Sequence, residues 1–180
     1  MVYVLLGTGF EEVEAIAPVD LMRRAGIEVL TVGISGKTVY GGHNIGVEAD
    51  ITIDEMDLTK LDMIVLPGGL GSVAAARACT EALAASEFAW KNDKFVAAIC
   101  AAPTVLKDLH ITDGKSVTYY PGFEEEMNAA HLRENAACVR DGKLITGTSA
   151  GCAIPFSLTL IEAMKGKEAA DAIARQIVIR

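Results

Sequence analysis

The 180 residues are 51% hydrophobic and 22% charged, which suits a single α/β domain with a core of useful size. The formal net charge of −8 repels phosphate backbones and excludes nucleic acid as a natural partner. No apolar run reaches the roughly 18 residues that span a bilayer, and Val2 opens a strand-like run with no basic leader before it, so a cytoplasmic protein with no membrane partner is expected.

Short apolar runs alternate with helical stretches, the pattern of a mainly parallel sheet covered by helices on both faces. Val2–Leu6 reads as the first strand. Gly7-Thr8-Gly9 turns the chain into a helix from Glu11 to Ala25, stopped by Gly26. Ile27–Val32 is the second strand, and the glycine-rich stretch Thr38–Ile53 reads as a hairpin excursion. Met63–Leu66 is a strand that ends in Pro67-Gly68-Gly69, followed by helices over Ser72–Cys79 and Thr80–Lys91. Phe95–Ile99 is the next strand, Ala101–Leu109 a helix and Val117–Tyr119 a short strand. Val139–Thr146 reads as a hairpin around Asp141-Gly142, and helices over Gly151–Met164 and Lys167–Ala174 close the chain. In such a sheet, function gathers at the carboxyl ends of the strands.

Phe95-Val-Ala-Ala-Ile-Cys-Ala-Ala-Pro-Thr104 carries the sharpest chemical signal. An apolar strand runs directly into Cys100, small residues flank it, and Pro103 suits the first turn of a helix. The layout is that of a nucleophile elbow with Ala-x-Cys-x-Ala in place of Gly-x-Ser-x-Gly. A helix beginning directly after Cys100 is expected to lower its thiol pKa, and the Ala101 N–H to face a developing oxyanion. The same residues also suit a buried cysteine packed as a small hydrophobe. Cys152, in Thr146-Gly-Thr-Ser-Ala-Gly-Cys152, is the rival thiol, while Cys79 and Cys138 read as structural. None of the four forms a C-x-x-C pair, so their thiols are expected to stay reduced.

Pro67-Gly68-Gly69 supplies either a second oxyanion donor, at Gly69, or a plain strand-to-helix turn. Glu11 and Glu12 match the dipole of the helix they open. Glu14 lies among Val13, Ala15 and Ile16 on a helix that packs on the sheet. A carboxyl there has a raised pKa and, protonated, can hydrogen-bond a thiolate. His43, His110 and His131 show no metal-ligand spacing, so no metal is expected, and no Cys–His pair follows from spacing.

Five blocks are similar to the ThiJ/PfpI family, which shares its fold with class I glutamine amidotransferase domains. They are Gly9-Phe-Glu-Glu-Val-Glu14, Pro18-Val-Asp-Leu-Met-Arg-Arg-Ala-Gly26, Val65-Leu-Pro-Gly-Gly69, Ala97-Ala-Ile-Cys-Ala-Ala-Pro-Thr104 and Gly166-Lys-Glu168. They run in order over almost the whole chain, and most resemble the branch of the parkinsonism-associated protein and its bacterial relatives. The resemblance implies a flavodoxin-like three-layer sandwich, a homodimer, Cys100 as the elbow cysteine, Glu14 as its hydrogen-bonding glutamate, and Gly69 and Ala101 as oxyanion donors. It further implies glyoxalase or deglycase chemistry on small reactive carbonyls or glycated substrates without a cofactor, oxidant sensing through the cysteine, or chaperone-like protection. An amidase- or peptidase-type hydrolase ranks below these, because it needs a histidine beside Cys100. Tyr120 stands where many relatives carry a histidine, and Ala150 where the closest often carry an arginine. The loop after Gly69 is about one residue short. His43 falls where relatives place a polar or basic residue that approaches the partner subunit's site. His43 and Tyr120 are therefore candidate pocket residues.

Overall fold

The computed structural model describes residues 1–179. Five parallel strands form the heart of the sheet: β1 (Val2–Leu6), β2 (Val29–Gly33), β6 (Met63–Leu66), β7 (Phe95–Ile99) and β11 (Leu144–Gly147). The two-residue β5 (Ile51–Thr52) extends one edge in parallel, and β10 (Cys138–Asp141) closes the other edge antiparallel to β11. The order across this seven-stranded sheet is β10-β11-β7-β6-β1-β2-β5. The architecture is the α/β sandwich expected.

Side-chain alternation divides the core between the two faces. Val2, Val4 and Leu6 of β1, Met63 and Val65 of β6, and Ala97 and Ile99 of β7 point to one face. There they meet α1 (Glu12–Arg24), α5 (Ala153–Lys165) and α6 (Lys167–Gln176) through Val19, Phe156 and Ile173. Tyr3, Leu5, Ile64, Val96 and Ala98 point to the other face. They meet α2 (Leu70–Ala78), α3 (Thr80–Lys91) and α4 (Pro103–Asp108) through Val73, Ala82 and Val105. Cys100, just past the end of β7, packs against both clusters.

The structure corrects several expected boundaries. The excursion after β2 is a small separate hairpin, β3 (Thr38–Tyr40) with β4 (Gly46–Glu48), but its last residues leave it to form β5. A second small sheet pairs β8 (Ser116–Val117) with β9 (His131–Leu132), which has no apolar run to announce it. The helix expected to begin at Ala101 begins at Pro103 and lasts six residues, because Cys100 turns left-handed and residues 101–102 complete a turn first. The helix expected from Gly151 starts at Ala153, after a 3-10 turn over Ala150–Cys152.

Candidate active site

Because β1, β6 and β7 are parallel neighbours, the loops that follow them meet at one edge of the sheet. The first brings Gly9 and the start of α1, the second Pro67-Gly68-Gly69, the third Cys100. Cys100 has φ of 65°, a left-handed conformation that a residue with a Cβ adopts at a cost of roughly 1–3 kcal/mol. The strain is held in place from both sides. The Cys100 N–H donates to Gly147 O at 3.0 Å, and the Tyr120 N–H donates to Cys100 O at 2.9 Å.

Gly68 is required by space. A Cβ there would lie 2.6 Å from Cys100 Cβ and would also strike the Glu14 carboxyl. Gly69 is required by conformation as well, with φ of 90° and a would-be Cβ 2.7 Å from Glu11 N. These absences let the turn nest against the start of α1, where the Glu11 N–H donates to Gly68 O at 3.0 Å.

Glu14 is fully buried. Its Oε2 accepts the Gly68 N–H at 2.9 Å, while Oε1 has no hydrogen-bond partner. The carboxyl lies against the Cys100 thiol. Burial dominates and pushes the Glu14 pKa up to about 7; the Cys100 thiol and the Gly68 N–H pull it down, and the charge of Glu11 pushes it further up. The expectation of a lowered Cys100 pKa is overturned. Burial, then the charge and hydrogen bond of Glu14, push the thiol up to about 12, against the Ala101 and Gly69 N–H groups, which favour the thiolate. The short α4 starts three residues beyond Cys100, too far along to act on the sulfur as a helix dipole. The two groups form one coupled unit. When Glu14 takes up a proton its repulsion vanishes, and the neutral carboxyl can donate to a thiolate.

A cavity of about 480 Å³ opens over the sulfur, lined by Glu11, Gly69, Leu70, Ala101, Tyr120 and Phe123 among others. Of the two pocket candidates, Tyr120 lines this cavity and His43 does not. The His43 Nδ1 lies 2.7 Å from Glu12 Oε2, and its N–H donates to Glu12 Oε1 at 2.6 Å. Burial alone would raise Glu12, but these two bonds outweigh it and hold its carboxyl below the usual range. His110 pairs with Asp113, and His131 sits on β9. No histidine lines the Cys100 cavity among the described residues. Cys152 caps α5 outside this cavity, near Cys138, whose thiol burial pushes up to about 11. Glu11, Glu12 and His43 have ligand atoms within 4.8 Å of one another, but both Glu12 oxygens are already engaged by His43.

Two residues of the site show little of their role in the sequence. Glu11 at a helix start signals only a match to the dipole, and Gly68 only a turn. The clash that dictates Gly68 comes from residues far along the chain, and no local signal carries it.

The sequence profile described as the DJ-1/PfpI family matches residues 1–163. The chain belongs to the DJ-1/PfpI family. Among its members, the Drosophila melanogaster protein dj-1beta is 34% identical over 98% of this chain and 95% of its own length. The crystal structure of that DJ-1beta superposes with a TM-score of 0.95 at 33% identity, covering 99% of this chain and 97% of the other. An oxidised Toxoplasma gondii DJ-1 superposes with a TM-score of 0.92 at 30% identity, covering 98% of this chain and 97% of the other. A Pyrococcus horikoshii protein named a deglycase is 31% identical over 79% of this chain and 86% of its own length. Among the described residues, no helix is long and apolar enough to cross a membrane.

Proposed function

We propose that this DJ-1/PfpI protein is a cysteine-dependent glyoxalase or deglycase that acts on small 2-oxoaldehydes or their adducts. The observation that carries the reading is the buried Glu14 carboxyl, with an unpartnered oxygen, set against Cys100. The deglycase name of the archaeal relative agrees with it. The Cys100 sulfur adds to the aldehyde carbon, and the new oxyanion rests on the N–H groups of Gly69 and Ala101. Glu14 carries the proton from the aldehyde carbon to its carbonyl neighbour, oxidising the first carbon to a thioester and reducing the second to an alcohol. Water cleaves the thioester, giving a 2-hydroxy acid and the free thiol. The test is D-lactate formation from methylglyoxal: Cys100→Ala must abolish it, and equal activity in that variant overturns the proposal.

The half-exposed Tyr120 favours a second reading, because sensing an oxidant needs no histidine base. In it Cys100 is oxidised by peroxide to the sulfinate, held by protonated Glu14 and the same two N–H groups. Mild peroxide should then add two oxygens at Cys100 alone; preferential oxidation of Cys79, Cys138 or Cys152 counts against it.

Either reading takes a second copy of the chain as partner. Val13, Ile16 and Ile45 are each more than 40% exposed and line one shallow apolar hollow on α1 and the β3–β4 hairpin, a face suited to burial against another copy.

A further inference from the structure

We infer that the cavity over Cys100 sorts its reactants by charge, admitting uncharged carbonyl compounds and rejecting those that carry a carboxylate, and that Glu11 is the residue that sets this preference. The inference rests on Cys100 as the reacting thiol and names the substrate class of the proposed reaction.

Glu11 is pinned at the cavity wall. Its backbone N–H is tied to Gly68 O at 3.0 Å, and its Oε2 caps α1 by accepting the Glu14 N–H at 2.7 Å. The side chain cannot swing away without uncapping the helix. Leu70, Tyr120, Pro121 and Phe123 make the rest of the wall largely apolar, and no lysine, arginine or histidine lines it among the described residues. Glu124, whose Oε1 accepts the N–H of the cavity residue Gly122, faces the adjoining hollow together with Arg133 and is not part of this wall. The nearby cationic groups are engaged: His43, whose ring lies within 4.8 Å of a Glu11 oxygen, is bonded to both oxygens of Glu12, and Arg133 of the adjoining hollow donates to Ser116 Oγ. The charge of Glu11 reaches the reacting pair, since it contributes to the raised pKa of Glu14.

A cavity built to bind a carboxylate offers a guanidinium or ammonium to it. This one offers only the Gly69 and Ala101 N–H groups, beside the sulfur itself. They suit an oxyanion created at the attacked carbon. A carboxylate arriving with the substrate meets no cation on the cavity wall and a fixed carboxylate opposite. Two like charges several ångströms apart in a partly solvated cavity give discrimination of about tenfold.

The test uses two alkylating agents of similar shape, neutral iodoacetamide and anionic iodoacetate. Their rates at Cys100 are followed by peptide mass spectrometry on the full chain, and the ratio is referred to that of 2-mercaptoethanol. Because the ratio cancels the thiolate fraction, it reports the charge environment alone. The wild type should disfavour iodoacetate about tenfold more than 2-mercaptoethanol does. Glu11→Gln, whose side-chain oxygen can still cap α1, should recover most of that. Glu28→Gln, just before β2 at the far end of the sheet, should recover none. A wild-type ratio equal to that of 2-mercaptoethanol, or a ratio unmoved by E11Q, overturns the inference. Should E11Q fail to fold, the wild-type ratio measured across salt decides: discrimination that fades with ionic strength supports it, and a flat response overturns it. Turnover of methylglyoxal, measured in parallel, keeps the two claims apart. Absence of all turnover with the alkylation ratio intact removes the glyoxalase reading and leaves the charge preference standing.

Discussion

The buried carboxyl of Glu14 accepts the backbone N–H of Gly68 at 2.9 Å, across 54 positions of sequence. This bond fixes the acid at the base of the elbow, with its carboxyl against the Cys100 thiol. It also ties the start of α1 to the turn after β6, so acid, turn and thiol form one rigid unit.

Gly68→Ala should therefore damage the site and the fold together. The added methyl would lie 2.6 Å from Cys100 Cβ, closer than carbon atoms approach. Denaturant unfolding should show a loss of roughly 1–3 kcal/mol, and iodoacetamide should label Cys100 at an altered rate. Wild-type stability and labelling would contradict the packing described.

The raised pKa of Glu14 makes stability depend on pH with a definite sign. The folded value is about 7, above the ordinary 4.5, so the folded state holds more protons than the unfolded state between those values. The contribution is fully present below pH 4.5 and is lost as pH rises through 7. Unfolding experiments should show it as up to about 3 kcal/mol, and Glu14→Gln should flatten the profile over that window. A wild-type profile as flat as that of E14Q would remove the raised pKa.

Coupling between Glu14 and Cys100 predicts an unusual alkylation profile. The pair loses its first proton near pH 7 and its second near 12. Between these values the thiolate share stays constant, so the iodoacetamide rate at Cys100 should be nearly flat from pH 8 to pH 10. An isolated thiol of pKa 12 would instead gain about tenfold per pH unit. In E14Q the opposing charge is gone, so the rate at pH 8 should rise about tenfold while D-lactate formation falls. A rise or fall of both together would deny Glu14 its proton-carrying role.

Tyr120 lines the cavity, and its N–H is anchored to Cys100 O at 2.9 Å. A histidine at this position would be delivered to the same wall by an unchanged backbone. Tyr120→His should raise methylglyoxal turnover about a hundredfold, the lower end for an added general base. No gain in kcat would show that Glu14 already meets the whole proton demand.

The sequence made the elbow plain because its causes are local: an apolar strand, small residues around Cys100, and Pro103 ready to start a helix. The sheet was equally plain, since strands buried on both faces must be apolar at every position. The two-residue strands β5 and β9 were not, because pairing in an existing frame holds them rather than their own composition, and β8, expected over Val117–Tyr119, pairs at Ser116–Val117 instead. The direction of the Cys100 pKa is not legible locally for a related reason. Burial and the charge of Glu14 set it, and both arise from segments distant in sequence. Glu11 shows the same limit, since an acid at a helix start looks identical whether it faces water or a cavity.

The central claim is that Cys100 is the reacting thiol. Its most direct test is graded alkylation with iodoacetamide, with labelling of all four cysteines located by peptide mass spectrometry and residual methylglyoxal turnover measured on the same samples. Activity should fall in proportion to labelling of Cys100 and be indifferent to labelling of Cys79, Cys138 and Cys152. Full activity in protein whose Cys100 is completely alkylated would contradict the account.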